Sequence, residues 1–262
     1  MQIPTYHIDA FSTQLFKGNP ATVCILPKWL PDETLQSIAT ENHLPATAYL
    51  VRENSQFQVR WFTPEYEIDL CGHGSLALAY VIFHHLEPTL QEAELHYPHG
   101  KFSIKRTGEL FTLNFPAKNL EEISENELLT AGLGATPQKI FQHKSERCVA
   151  VFDTEDEVKH LKPNIDILKK MAYRGIIVTS PGKQFDFVSR TFYPQKAQYE
   201  DAITGSSHCL LIPYWANRLN KIKLHAYQIS PRGGELFCEL SADRVLISGR
   251  AVMYLQGNIV IV

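Results

Sequence analysis

The chain has 262 residues, 44% of them hydrophobic and 20% charged, with 14 Gly and 15 Pro, the make-up of a globular protein of one large or two small domains. A formal net charge of −3, with Lys and Arg scattered along the chain, supplies no field for a phosphate backbone and excludes nucleic acid as an expected partner. No basic start followed by an apolar run opens the chain, and no apolar run approaches the roughly 20 residues of a membrane-spanning helix, so the expectation is a cytoplasmic protein with no membrane partner.

In chain order, IPTYHIDAF, ATVCIL, TAYLV, QFQVRWF, AELHYPHGKFSIKR and ELFTLNF read as strands, because apolar and polar residues alternate or β-branched residues cluster between turn formers. PDETLQSIATENH reads as a helix opened by Pro31 and Asp32. FPAKNLEEISENELLTAGLG, residues 115 to 134, is the best linker, giving an N-terminal lobe over 1–117 and a C-terminal lobe over 118–262 whose last strand is free to cross back. The second lobe repeats the mixture with RCVAVF, GIIVTS, QFDFVSRTF, KLHAYQIS, ELFCELS and RVLISGRAVMYLQGNIVIV. The fold class is α+β with two pseudo-symmetric lobes, which are expected to enclose a cleft.

A repeat carries that inference. Arg60-x-Phe62-x-Pro64 recurs as Arg190-x-Phe192-x-Pro194, and the glycine of CGHGS (Gly72) recurs as that of TGSSH (Gly205). Each copy follows a strand-like segment, then carries carboxylates (Glu65, Glu67 and Asp69; Glu200 and Asp201), then small residues, then an apolar helical run. Several features agreeing in order and spacing favour duplication over two chance strand-turn-helix units. Pro213, inside the second run, predicts a kinked or interrupted helix.

The small residues mark where each helix begins. Gly72, Gly74 and Ser75 in one copy, and Gly205, Ser206 and Ser207 in the other, leave backbone N–H groups uncovered where the helix dipole favours an anion. The expected ligand is therefore a small carboxylate-bearing molecule. His73 lies between two glycines, where packing gives it little to do, and is a candidate proton carrier. Asp201 is placed to cap the second helix or to act as acid and base. Cys71 reads either as a thiolate favoured by the helix start or as a small buried residue.

Other motifs read as structural. The five cysteines are odd in number, widely spaced and without a CxxC pair, so neither a disulfide framework nor a zinc site is expected. His84-His85 and His96-x-x-His99 lack ligand spacing, and no metal is assigned. PRGGEL, with Arg232, is either a hairpin turn or a cation brought to the cleft.

DAFSTQLFKGNPATVCIL, FTPEYEIDLCGHGSLALA, YEDAITGSSHCLL followed by YW, ISPRGGEL and VLISGRAV together resemble the PhzF-like, phenazine biosynthesis-type isomerase family over nearly the whole chain. The resemblance implies a diaminopimelate epimerase-like fold, each lobe a β-sheet rolled around a central helix, with no cofactor and with a homodimer as the assembly. It carries the family's active-site histidine onto His73, its aspartate onto Asp201 and the cap serine onto Ser206. The family's glutamate, in an SETAF-like motif, is absent: the matching stretch is PATAY, and Ala46 holds its position. The second thiol of the two-cysteine epimerases is also absent, Thr204 standing where it would be, and Cys209 lies too far along the helix to replace it.

Two functions remain from the sequence: a cofactor-independent isomerase that shifts a proton and a double bond in a small carboxylate-bearing metabolite, and a catalytically silent protein that binds such a molecule. Ala46 keeps the second open. A scaffold without a ligand is disfavoured by the two intact helix starts.

Overall fold

In the computed structural model, residues 1–53, 56–144 and 146–261 are described, and the chain divides into two units, Met1–Phe115 with Leu246–Val262, and Pro116–Val245. Val262, the end of the last expected strand, lies outside the described residues.

In the first unit β1 (Gln2–Ala10) pairs antiparallel with β2 (Asn19–Leu26). Helix α1 (Asp32–Asn42), with Pro31 as its N-cap, carries the chain over to β3 (Thr47–Glu53), which lies parallel to β2; parallel neighbours require such a crossover. Next come β4 (Gln56–Phe62), antiparallel to β3, and β5 (Glu67–Ile68), which folds back on the end of β4. Helix α2 (Gly72–Val81) follows, extended by a π-helical turn, Ile82–Leu86. Then β6 (Glu92–Tyr97) runs parallel to β4, β7 (Gly100–Thr107) antiparallel to β6, and β8 (Leu110–Pro116) antiparallel to β7.

The second unit opens with β9 (Glu121–Ile123) and α3 (Glu127–Leu133), then β10 (Lys139–His143), β11 (Arg147–Val151), α4 (Glu155–His160) and α5 (Ile165–Leu168). It continues with β12 (Gly175–Pro181), β13 (Phe187–Phe192), β14 (Glu200–Asp201), α6 (Gly205–Leu219), β15 (Lys223–Gln228) and β16 (Gly234–Ser241). After β17 (Arg244–Gly249), β18 (Ala251–Val260) pairs antiparallel with β1 in the first unit.

The two units have the same internal topology. The antiparallel pair β10–β11 repeats β1–β2, the parallel pair β11–β12 repeats β2–β3, and β12–β13 repeats β3–β4. The returns β13–β14 and β4–β5, the parallel pairs β13–β15 and β4–β6, and the hairpins β15–β16 and β6–β7 also correspond. Even the outer neighbour of the first strand is antiparallel in both, β18 against β1 and β9 against β10.

Each unit has its own core. Ile3, Cys24, Leu35, Tyr49, Val51 and Phe62 pack together in the first, and Leu129, Leu133, Ile140, Phe152, Val178 and Phe192 in the second. Residues 116–134 of the stretch read as a linker therefore belong to the second unit. Its Leu129 and Leu133 are buried at helical spacing, and Asn126 caps α3 by accepting the Leu129 N–H at 3.0 Å. Helix α2 buries its residues on every side apart from Tyr80, as an all-round apolar helix must.

Helix α6 runs through Pro213 without interruption. A proline has no N–H for the carbonyl four residues back, which is Cys209 O, and that carbonyl instead accepts the Lys118 N–H at 2.9 Å. Among the described residues no helix is long and apolar enough to cross a membrane.

Candidate functional site

The repeated Arg-x-Phe-x-Pro element builds the approach to each central helix. In the first unit Arg60 donates Nε to Glu67 Oε1 at 2.7 Å and Nη2 to Glu67 Oε2 at 2.6 Å, while its guanidinium lies 5.1 Å from the Phe62 ring centre. In the second, Arg190 holds Glu200 through the same atoms at 2.8 and 2.9 Å, 5.0 Å from Phe192. Each pair fastens a two-residue return strand, β5 or β14, to the strand before it. Hydrogen bonding to Glu67, with a smaller contribution from Asp32, holds the Arg60 charge more firmly than in free arginine. Glu67 and Glu200 are thus structural partners, and Asp69 makes an exposed ion pair with His99 at 3.1 Å.

The chain leaves β5 and enters α2 at Cys71, whose backbone is extended (φ −128°) and whose sulfur accepts the Gly74 N–H at 3.4 Å. Cys71 Sγ also lies 3.5 Å from His73 Nδ1. Ser75 Oγ donates to Cys71 O at 2.7 Å, closing the turn. Cys71, Gly72, His73, Gly74 and Ser75 are all buried, His73 retaining 8% exposure. Gly74 is required by crowding: a Cβ there would sit 2.9 Å from Trp61 Cδ1 and 3.1 Å from Cys71 Sγ.

At the start of α6 the N-cap is Thr204, and its hydroxyl is turned away from the helix, donating to Asp201 Oδ2 at 2.6 Å. The amides of Gly205 and Ser206 therefore receive no cap from that side chain. Gln228, fully buried on β15, fixes this turn: its Oε1 accepts the Thr204 N–H at 2.9 Å and its Nε2 donates to Asp201 O at 2.8 Å. Ser230 Oγ donates to Ala202 O at 2.7 Å and accepts the Gly233 N–H at 3.1 Å. Gly233 has φ +66°, and a side chain there would collide with the Tyr227 hydroxyl, so PRGGEL forms a turn. Ser207 shares a hydroxyl contact with Thr191 at 3.2 Å, and Ser206 stays partly exposed.

The first turns of the two central helices differ from those of the others. Helices α1, α3, α4 and α5 each carry Asp or Glu there, whereas α2 and α6 carry neither. The start of α2 is thus left without an acidic side chain in its first turn, the condition under which a helix terminus attracts a free anion, whereas the cap of α6 has the Asp201 carboxylate on the Thr204 hydroxyl.

The remaining candidates are structural. Burial pushes the thiols of Cys24 and Cys148 up to about 12 and that of Cys209 up to about 11, and raises Cys238 as well; such thiols behave as small apolar side chains. His208, one turn into α6, is fully buried, and desolvation lowers its pKa to about 4 although Nδ1 bonds Thr204 O at 2.9 Å. His96 pairs with Glu94, and among the described residues no group of three or more His, Cys, Asp or Glu side chains could hold a metal ion. Gln228 and Trp61 were not singled out by sequence. The signal for Gln228 was a polar residue in phase with the inward-facing Leu224 and Ala226 of its strand.

Two units of matching topology, each with a buried central helix beginning at a glycine-containing cap, define the diaminopimelate epimerase-like class of α+β fold. A hydroxyproline epimerase from Agrobacterium vitis, 11% identical over 98% of this chain and 92% of its own, has this fold with a TM-score of 0.62. The chain belongs to the phenazine biosynthesis-like (PhzC-PhzF) protein family, whose model matches residues 8–257. An uncharacterized isomerase of Pseudomonas aeruginosa is 42% identical over 99% of both chains. A PhzF-family phenazine biosynthesis protein from Enterococcus faecalis, known from a crystal structure, is 40% identical over 100% of both chains, with a TM-score of 0.96.

Proposed function

We propose that this protein is a cofactor-independent isomerase acting on a small carboxylate-bearing metabolite. The helix starts at Gly72, Gly74 and Ser75 and at Gly205, Ser206 and Ser207 are the substrate-binding elements, the Gly74, Ser75 and Ser207 N–H groups being already donated to Cys71 Sγ, Cys71 O and Thr204 O, and His73, Asp201 and Cys71 carry protons. In the reaction a base takes a proton from a saturated carbon, the C–H electron pair becomes a new C=C bond, and the original C=C pair captures a proton at its far carbon. Atoms and charge balance without a co-reactant. The observation that carries this reading is the Cys71 Sγ–His73 Nδ1 contact of 3.5 Å at the start of a helix with no acid in its first turn. A thiol and an imidazole in contact beside a helix start support a proton-transfer role, because a developing negative charge is stabilised there. The name of the Pseudomonas relative supports the reaction class.

The second reading, a silent carboxylate-binding protein, is favoured by Ala46. This residue is fully buried just before β3, its carbonyl accepting the Thr22 N–H at 2.9 Å, and it supplies no carboxyl group. A thermal-shift screen of small unsaturated carboxylates, followed by NMR of each hit in deuterated water, separates the two. Solvent deuterium entering a bound compound supports the isomerase; stabilisation of the protein with no exchange in any hit supports the binder. We also propose a cytoplasmic homodimer. Free thiols at all five cysteines agree with a reducing compartment, and light scattering tests the assembly.

A further inference from the structure

We infer that Trp61 is a positioning residue for Cys71, its indole N–H held in reserve as a hydrogen-bond donor to the sulfur when the thiol ionises. Buried tryptophans usually find a partner for this group, and an orphan calls for an explanation. Trp61 is 1% exposed, yet among the described residues its Nε1 has no hydrogen-bond partner.

The position of the ring supplies the explanation. A Cβ on Gly74 would meet Trp61 Cδ1 at 2.9 Å, Cys71 Sγ at 3.1 Å and Trp61 Nε1 at 3.3 Å. The pyrrole edge of the indole and the sulfur therefore flank the same small space, which is kept open by the missing side chain of Gly74. The ring is fixed there by edge contacts with Tyr97 at 5.8 Å and a tilted contact with Phe102 at 6.2 Å.

In the thiol form the sulfur accepts the Gly74 N–H and touches His73. A thiolate has more acceptor capacity and attracts every nearby donor. The indole is a donor only and never titrates in the working range, so it favours the anion without competing for the proton. This role rests on the reading of Cys71 as a proton carrier and adds the residue that tunes it.

The test follows the Cys71 thiol with 13Cβ-labelled cysteine and the indole with 15N-labelled tryptophan, titrating the intact chain without substrate. Trp61→Phe is expected to raise the Cys71 midpoint by about one pH unit, roughly tenfold less thiolate at a fixed pH. In wild type the Trp61 indole proton is expected to move downfield at the thiol midpoint. That movement persists in His73→Gln, which removes the titratable neighbour, and vanishes in Cys71→Ser. An unchanged midpoint in a folded Trp61→Phe overturns the inference. If Trp61→Phe does not fold, an indole signal that ignores the thiol titration in wild type overturns it. No turnover is read, so failure of the isomerase proposal and failure of this one are separate results.

Discussion

Arg190 holds Glu200 through two parallel hydrogen bonds of 2.8 and 2.9 Å, with both side chains largely shielded from water. The third arm of the guanidinium donates to Val158 O and Leu161 O, at the end of α4. This residue is the reason the sequence pattern occurs twice: the matching Arg60–Glu67 pair does the same for the first unit. In each, a planar fork matched to a carboxylate fixes the return strand from which a central helix starts.

Arg190→Ala is therefore expected to cost about 3 to 5 kcal/mol, because it leaves Glu200 and two carbonyls without their donor in a shielded place. Arg190→Lys should recover little of this, since an ammonium cannot bond both carboxylate oxygens and both carbonyls. Arg60→Ala should cost less, because Glu67 is 37% exposed and water can replace the lost partner. Urea unfolding of the three variants checks the order.

Gly74→Ala should destabilise by about 1 to 3 kcal/mol through overpacking against Trp61 and Cys71. In an exposed helix interior the same change stabilises by up to about 1 kcal/mol, so the sign of the shift in Tm is diagnostic.

Burial of His208 predicts an acid-labile fold. Its pKa falls from the usual value near 6.5 to about 4 in the native state, so between these values the unfolded chain binds more protons than the folded one. The stability is fully present above about pH 6.5 and is lost progressively as the pH falls towards 4, a change on the order of 2 to 3 kcal/mol. His208→Asn should flatten that part of the stability profile. An equally steep profile in the variant would assign the acid sensitivity to other groups.

Ala46→Glu would bury a carboxyl group at a position with no exposure. A stability cost of roughly 1 to 3 kcal/mol is expected, with proton exchange on a hit compound started or raised. Exchange that is already present in wild type and is slowed by the substitution would show that the chain uses its own base, with Cys71 the first group to examine.

Most strands were legible because alternation alone defines a half-buried strand: Leu224, Ala226 and Gln228 face inward and their neighbours outward. The helix starts were legible because Gly72, Gly74 and Gly205 stand directly before apolar runs. What escaped was short or set by distant partners. Helix α4 is six residues long, and its capping box between Thr154 and Glu157 was the one local sign of it. The span 115–134 looked like a polar linker because only Leu129, Gly132 and Leu133 of α3 face the core. The uninterrupted α6 depends on the Lys118 N–H, 91 residues before the carbonyl it satisfies, and no local pattern reports such a bond. The Arg60 and Arg190 repeat was visible, but its pairing with Glu67 and Glu200 required the register of the return strands.

The most direct measurement is the rate at which solvent deuterium enters a thermal-shift hit in the presence of wild type, His73→Gln and Asp201→Asn, read by NMR under identical conditions. The account predicts measurable incorporation with wild type and a fall of roughly 100-fold or more in each variant, the usual scale for losing general acid or base help. Wild-type incorporation that both folded variants match would contradict it.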